Sequence, residues 1–275
     1  MNGLRGQSSR VLAGARRRVQ RSTARYQRKN RAWYGVTLDE ARRSPDSASE
    51  LGEMFFAHEG REVHKFIHYF PVYERHLAAF RSGFVRSDGV RHPLRLLEIG
   101  VNQGGSLQLW RNYFGKESVI YGIDVNPKCR AIDDPDLCIR IGSQADPEFL
   151  QSVVGEMGGV DVVLDDGSHR AEHQAASFAV LFPMLSEGGL YLVEDTHTAY
   201  WRDFGGGLKK RSSFVELAKD LVDGMHAWYY PQRPPKRGVM AKSAISAVTF
   251  HDSIVAIEKH AHTQPMVARN GSKSF

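Results

Sequence analysis

An α/β fold with a seven-stranded, mostly parallel sheet, helices on both faces and a closing antiparallel hairpin is what this sequence predicts. Three observations predict it. Five short, nearly continuous apolar runs (94–101, 118–125, 137–142, 160–167 and 188–196) alternate with other segments, most of them helical; strands that are apolar throughout belong to parallel sheets covered on both faces. The alternation then stops. SAVTFHDSIVAIEKH (246–260) holds two β-rich runs around His251-Asp252-Ser253, the pattern of an antiparallel hairpin. Finally, a glycine-rich loop follows the first strand, at the edge where open α/β sheets bind ligands.

The elements follow in order. Residues 1–43 contain eleven Arg and one Lys against only Asp39 and Glu40, so the net charge of +6 sits in a basic tail and the remaining body is net acidic. A nucleic-acid surface on that body is therefore not indicated. The tail reads as a solvated extension, or as a contact with an anionic membrane face. Phe55, Phe56, Phe66, Ile67, Phe70, Tyr73, Leu77 and Phe80 recur at roughly helical spacing and predict helix over 47–82, with Pro71 breaking or starting a segment. Residues 83–93 read as a loop. SLQLWRNYF (106–114) is amphipathic, and DPEFLQSVVGEM (146–157) starts with an N-cap Asp and a Pro at the first helical position. The helix after the fourth strand runs to about Leu185. Tyr200, Trp201, Phe204, Trp228, Tyr229 and Tyr230, with the glycines at 205–207, suggest an acceptor-facing lid over 200–245 or a satellite core under a long loop. The division is a basic tail (1–45), a helical segment (46–93), the α/β domain (94–262) and a C-terminal tail (263–275). Two cysteines, no secretory signal and no run of ~20 apolar residues point to a cytoplasmic protein, at most peripheral to the inner face of a membrane.

The loop after the first strand reads Glu98-Ile99-Gly100-Val101-Asn102-Gln103-Gly104-Gly105-Ser106. A dinucleotide fingerprint needs glycine at 102, where this chain has Asn. A pyrophosphate requires that tight turn onto a helix N-terminus, whereas S-adenosylmethionine carries no phosphate and accepts a wider one. Ser106 is placed to cap the following helix. Asp124 ends the second strand, 24 residues after Gly100, where a carboxylate meets ribose hydroxyls. Gln144, after the third strand, lies where an adenine edge would be.

The reactive end is marked by Asp165-Asp166-Gly167-Ser168-His169 after strand four and Glu194-Asp195-Thr196-His197 after strand five. Asp166 and Glu194 are 28 residues apart, one strand–helix–strand unit. Parallel neighbours then bring their ends to about 5 Å on one edge. Four carboxylates crowded there repel, and a hard divalent cation such as Mg²⁺ is the economical reason to keep them. His169 stands beside them. Imidazoles as a class exchange protons near neutral pH, which suits a general base acting on a hydroxyl.

Residues 94–201 resemble the metal-dependent sugar O-methyltransferases of macrolide biosynthesis, the mycinamicin type, within the Rossmann-like class I methyltransferases. The pieces that carry the likeness are LLEIGVNQGGSLQLWRNYF, YGIDVNP, DVVLDDGSH and GGLYLVEDTHTAYW, with HKFIHYFPVYERHLAAFR (64–81) upstream. The resemblance implies S-adenosylmethionine bound by Glu98, Gly100, Asn102, Gly104 and Gly105 of the loop and by Asp124, with His68 or Tyr73 upstream; Ser106 and Gln144 join the cofactor set by position alone. It implies Mg²⁺ on Asp166, Glu194 and Asp195, and His169 as base. Asp165 falls on the cofactor side of the cleft with a supporting role. Two departures stand out: a basic tail and one helical segment replace the family's large N-terminal auxiliary domain, and Ser143 replaces its acidic residue after the third strand. The acceptor class implied is a sugar-containing small molecule or a glycolipid, and a homo-oligomer is compatible with it. A catechol-like acceptor using the same metal, or a cofactor-binding subunit without catalysis, are the alternatives.

Overall fold

The computed structural model describes residues 35–132, 134–230, 244–261 and 265–272. Most of the basic tail, part of the suggested lid (231–243) and parts of the C-terminal tail lie outside the described residues. Within them, a seven-stranded sheet runs in the order β5-β4-β3-β6-β7-β9-β8. Its strands are β3 (Arg95–Ile99), β4 (Val119–Asp124), β5 (Cys138–Ile141), β6 (Val160–Asp165), β7 (Leu185–Val193), β8 (Ile245–Phe250) and β9 (Val255–Lys259). β3 to β7 pair in parallel, and β9 enters antiparallel to both β7 and β8. The order reverses at β3, between β4 and β6, so the loops after these strands face one cleft.

The period of two along each strand divides the core. Leu96, Val162, Leu164, Leu190 and Leu192 face one side, where α2 (Glu50–Phe56), α3 (Phe70–Leu77) and α4 (Gly105–Phe114) supply Leu51, Phe70, Tyr73, Leu77, Leu107 and Trp110. Leu97, Ile99, Val163, Tyr191 and Val193 face the other, against α5 (Pro147–Glu156), α6 (Ala171–Met184) and α7 (Phe214–Met225). The segment upstream of the sheet thus packs into the same core as α4.

Several local expectations are corrected. Helix does not run through 47–82. It breaks after Phe56 and resumes at Phe70; Pro71 starts that segment, one of its two expected roles, since the first turn does not need its amide hydrogen. A short helix, α1 (Leu38–Arg42), precedes it, closed by a Thr37–Glu40 capping box. The expected loop over 83–93 contains a small hairpin, β1 (Phe84–Val85) with β2 (Arg91–His92), too short to show periodicity. Asp146 caps α5 as expected, with its side chain accepting from the amides of Glu148 and Phe149. β7 begins earlier than the apolar run, at Leu185, and ends at Val193.

The sheet's register is pinned from below by a buried ion pair. Asp161 is fully buried on β6 and accepts from the Arg95 amide at 2.9 Å, from Arg95 Nη2 at 2.7 Å and from Ser186 Oγ at 2.6 Å. Burial works against its charge, but Arg95 and Ser186 outweigh it and hold the carboxyl below its usual range. Removing one partner strands the other charge. Asp161→Ala is therefore expected to cost about 3–5 kcal/mol in urea unfolding; a loss under about 1 kcal/mol, the worth of an exposed pair, would refute this role.

Candidate active site

The first strand's end is tied to the second's. Asp124 Oδ2 accepts the amides of Val101 and Asn102 at 3.0 and 3.1 Å, and its Oδ1 accepts that of Asn126 at 2.7 Å. A carboxylate has about four acceptor sites, so Asp124 retains capacity for a ligand hydroxyl. Asn102 is held at φ 49° and Gly100 at φ 99°. A Cβ on Gly100 would strike the Asp166 carbonyl, so glycine is what lets β3 and β6 end side by side. Glu98 is fully buried and accepts from Ser106 Oγ at 2.7 Å and Trp110 Nε1 at 3.1 Å. This corrects the expectation for Ser106. The N-cap of α4 is Gly104, in the left-handed region, and the serine hydroxyl is turned to Glu98 instead.

Gln144 is buried. Its amide donates to Asp165 at 3.1 and 3.2 Å and accepts the Ser168 amide at 2.8 Å. Asp165 also accepts from Ser177 Oγ at 2.6 Å and Tyr191 at 3.3 Å. Burial keeps its carboxyl above the usual range, against the pull of Ser177, His169 and Gln144. The expectation of four carboxylates on one rim is corrected to three. Asp165 is the last residue of β6 and points into the α6 side, where it anchors the loop carrying Asp166 to His169.

Of the other three, Asp166 and Asp195 converge with His169, while Glu194 is turned to Lys65 beside them. The Asp166 amide bonds to the Ile99 carbonyl and the Glu194 amide to the Asp165 carbonyl, both at 3.0 Å, so the two acidic tips continue neighbouring strands. Ligand atoms of Asp166, His169 and Asp195 all lie within 4.8 Å of one another. His169 Nε2 is 3.6 Å from Asp195 Oδ2 and 3.9 Å from Asp166 Oδ1. Both His169 (φ 55°) and Asp195 (φ 54°) adopt the left-handed region, uncommon for residues with a Cβ. Strain of this kind, about 1–3 kcal/mol each, concentrates at functional sites. Thr198 Oγ1 secures the pair by donating to the His169 carbonyl at 3.0 Å and the Asp195 carbonyl at 2.8 Å.

Two residues of this site were not foreseen. Lys65 Nζ donates to Asp166 Oδ2 at 2.6 Å and to Glu194 Oε2 at 2.7 Å. Tyr69 donates its hydroxyl to Asp195 Oδ1 at 2.7 Å. Burial, reinforced by Asp166 and Glu98 and opposed by Lys65, pushes the Glu194 carboxyl upward. Lys65 is held charged: burial opposes this, and Asp166, Glu194 and Glu98 override it. No local signal points to Lys65, which lies outside the helix that carries Tyr73. Tyr73, expected as a cofactor contact, is fully buried; its phenol is pushed up by burial and then by Glu194. His68 packs its ring on Phe66 and Tyr69. Of the suggested lid, Phe204 is buried and Trp201 lies edge-on to His197, while Tyr200, Trp228, Tyr229 and Tyr230 are exposed.

Comparison with known proteins gives a consistent result. A family described as a methyltransferase domain matches residues 97–196. The 8-demethyl-8-alpha-L-rhamnosyl tetracenomycin-C 2'-O-methyltransferase of Streptomyces olivaceus is 34% identical over 203 residues, 71% of this chain and 51% of that protein. The mycinamicin VI 2''-O-methyltransferase of Micromonospora griseorubida is 34% identical over 229 residues, 79% of this chain and 53% of that protein. Among solved structures, the methyltransferase MycE of mycinamycin biosynthesis, in complex with Mg, SAH and mycinamycin VI, aligns with a TM-score of 0.63 at 33% identity. That match covers 80% of this chain and 54% of MycE. The chain spans about half the length of the curated relatives it matches. The fold is that of a class I methyltransferase.

Proposed function

Because the chain belongs, through residues 97–196, to the methyltransferase-domain family and is related to sugar O-methyltransferases, we propose that it methylates a sugar hydroxyl of a glycosylated small molecule. The observation that carries the reading is the meeting of Asp166, His169 and Asp195 beside the Gly100–Gly105 loop. The donor set fits a hard divalent cation. Asp166 and Asp195 offer carboxylate oxygens beside His169, and Glu194 stands at the same rim with Oε2 on Lys65, an oxygen-rich set that suits Mg²⁺. The loop fits an S-adenosylmethionine cleft, since Gly100 and Gly104 keep its floor free of side chains and Asp124 fixes its amides. When bound, the cation would supply Lewis acidity to the acceptor hydroxyl, and S-adenosylmethionine an activated methyl.

The chain's own residues do the rest. The loop and Asp124 orient the cofactor against the acidic rim. Tyr69 and Thr198 hold Asp195 and the His169 backbone in place. His169 Nε2 is placed to take the proton of the acceptor hydroxyl as that oxygen bonds the methyl carbon, the C–S electron pair staying with sulfur on the departing thioether. Fixed orientation of the two reactants supplies much of the remaining rate gain.

The test is methyl transfer from labelled S-adenosylmethionine to a panel of deoxysugar glycosides and vicinal aromatic diols. Label is expected on sugar hydroxyls. Turnover confined to the diols would reject the sugar acceptor, and cofactor binding without any transfer would reject catalysis.

A further inference from the structure

Lys65 reaches the acidic rim from the irregular stretch between α2 and α3, and its side chain is only 3% exposed. Its Nζ lies 2.6 Å from Asp166, 2.7 Å from Glu194 and 3.8 Å from Glu98, which places one ammonium among the ends of β3, β6 and β7. Asp166 faces two ways. Its Oδ2 holds Lys65, while its Oδ1 lies on the side of His169, in the cluster that includes Asp195. Tyr73 closes the far side, with its ring centroid 5.9 Å from Nζ.

We propose that Lys65 is a resident cation that shares the Asp166 and Glu194 carboxylates with the divalent metal and sets the metal's affinity. The inference rests on the metal reading given above. A positive charge fixed in a dry pocket repels a second one placed on the same carboxylates, far more than it would in water. The same charge neutralises carboxylates that would otherwise repel one another, so the pocket stays assembled when no metal is bound. Lys65 thus trades metal affinity for a preformed site. It also joins the cation pocket to the cofactor strand, since Glu98 is fastened in turn to Ser106 and Trp110 on α4.

The test is Mn²⁺ binding followed by electron paramagnetic resonance at pH 8, in the wild-type chain, Lys65→Met and Lys65→Arg. Lys65→Met is expected to bind Mn²⁺ about tenfold more tightly or better. Its metal-free form should melt below the wild type, with added Mn²⁺ closing the gap. Lys65→Arg keeps the charge and should stay within about threefold of wild type. Equal or weaker binding by folded Lys65→Met overturns the role of Lys65 and leaves the metal reading standing. A wild-type chain that takes up no Mn²⁺ removes the metal reading, and this inference with it. Should Lys65→Met fail to fold, the Nζ resonance of Lys65 in nitrogen-15-labelled wild type decides: it must shift when Mg²⁺ is added, and an unmoved signal refutes the proposal.

Discussion

Replacing His169 by Ala is expected to lower the proposed methyl transfer by about 10²- to 10⁴-fold, the usual contribution of a positioned general base. A neutral sugar hydroxyl is a poor nucleophile, and among the described residues His169 is the imidazole grouped with Asp166 and Asp195, while the nearby His197 is engaged by Ser253. The backbone at 169 is left-handed and braced by Thr198, so the loop should persist without the ring. Cofactor affinity, measured by calorimetry, should hardly change, because Gly100–Gly105 and Asp124 belong to other strand ends. His169→Asn makes the better control, since Asn tolerates the left-handed region better than Ala. It should lose activity to the same degree. A near-wild-type rate in both variants would assign the proton transfer to another group.

Stripping the divalent metal with chelator is expected to abolish turnover. Lewis-acid stabilisation is worth several kcal/mol, which is about 10³-fold or more in rate. Cofactor binding should survive, and so should the fold, because Lys65 still neutralises Asp166 and Glu194. Restoring Mg²⁺ or Mn²⁺ should restore the rate. Full activity in chelator would discard the cation from the mechanism and leave the acidic rim as a structural device around Lys65.

The sheet was legible because its signals are local. Each parallel strand is a short apolar run, and Asp146-Pro147 announces its helix within two residues. The meeting of Asp166 with Glu194 was legible as well, since one strand–helix–strand unit fixes their neighbourhood. Lys65 was not. Its partners lie 101 and 129 residues away, and nothing in the local pattern of 57–66 says that this stretch leaves the helix and turns inward. The expectation of one crowded rim sets Asp165 beside Asp166, although consecutive residues at a strand end face opposite sides of a sheet. Ser106 was read as a cap because its sequence position allows one. The buried acceptor at Glu98 decided otherwise.

The first turn of α4 carries one more consequence. A methyl group at Gly105 would run into the carbonyls of both Arg61 and Glu62, so the irregular stretch leading to Lys65 lies flush against the start of α4. The Gly100–Gly105 loop and the Lys65 ammonium are therefore geared together through directly packed backbone. One added carbon at this crossing is expected to displace the proposed donor berth and the ammonium together.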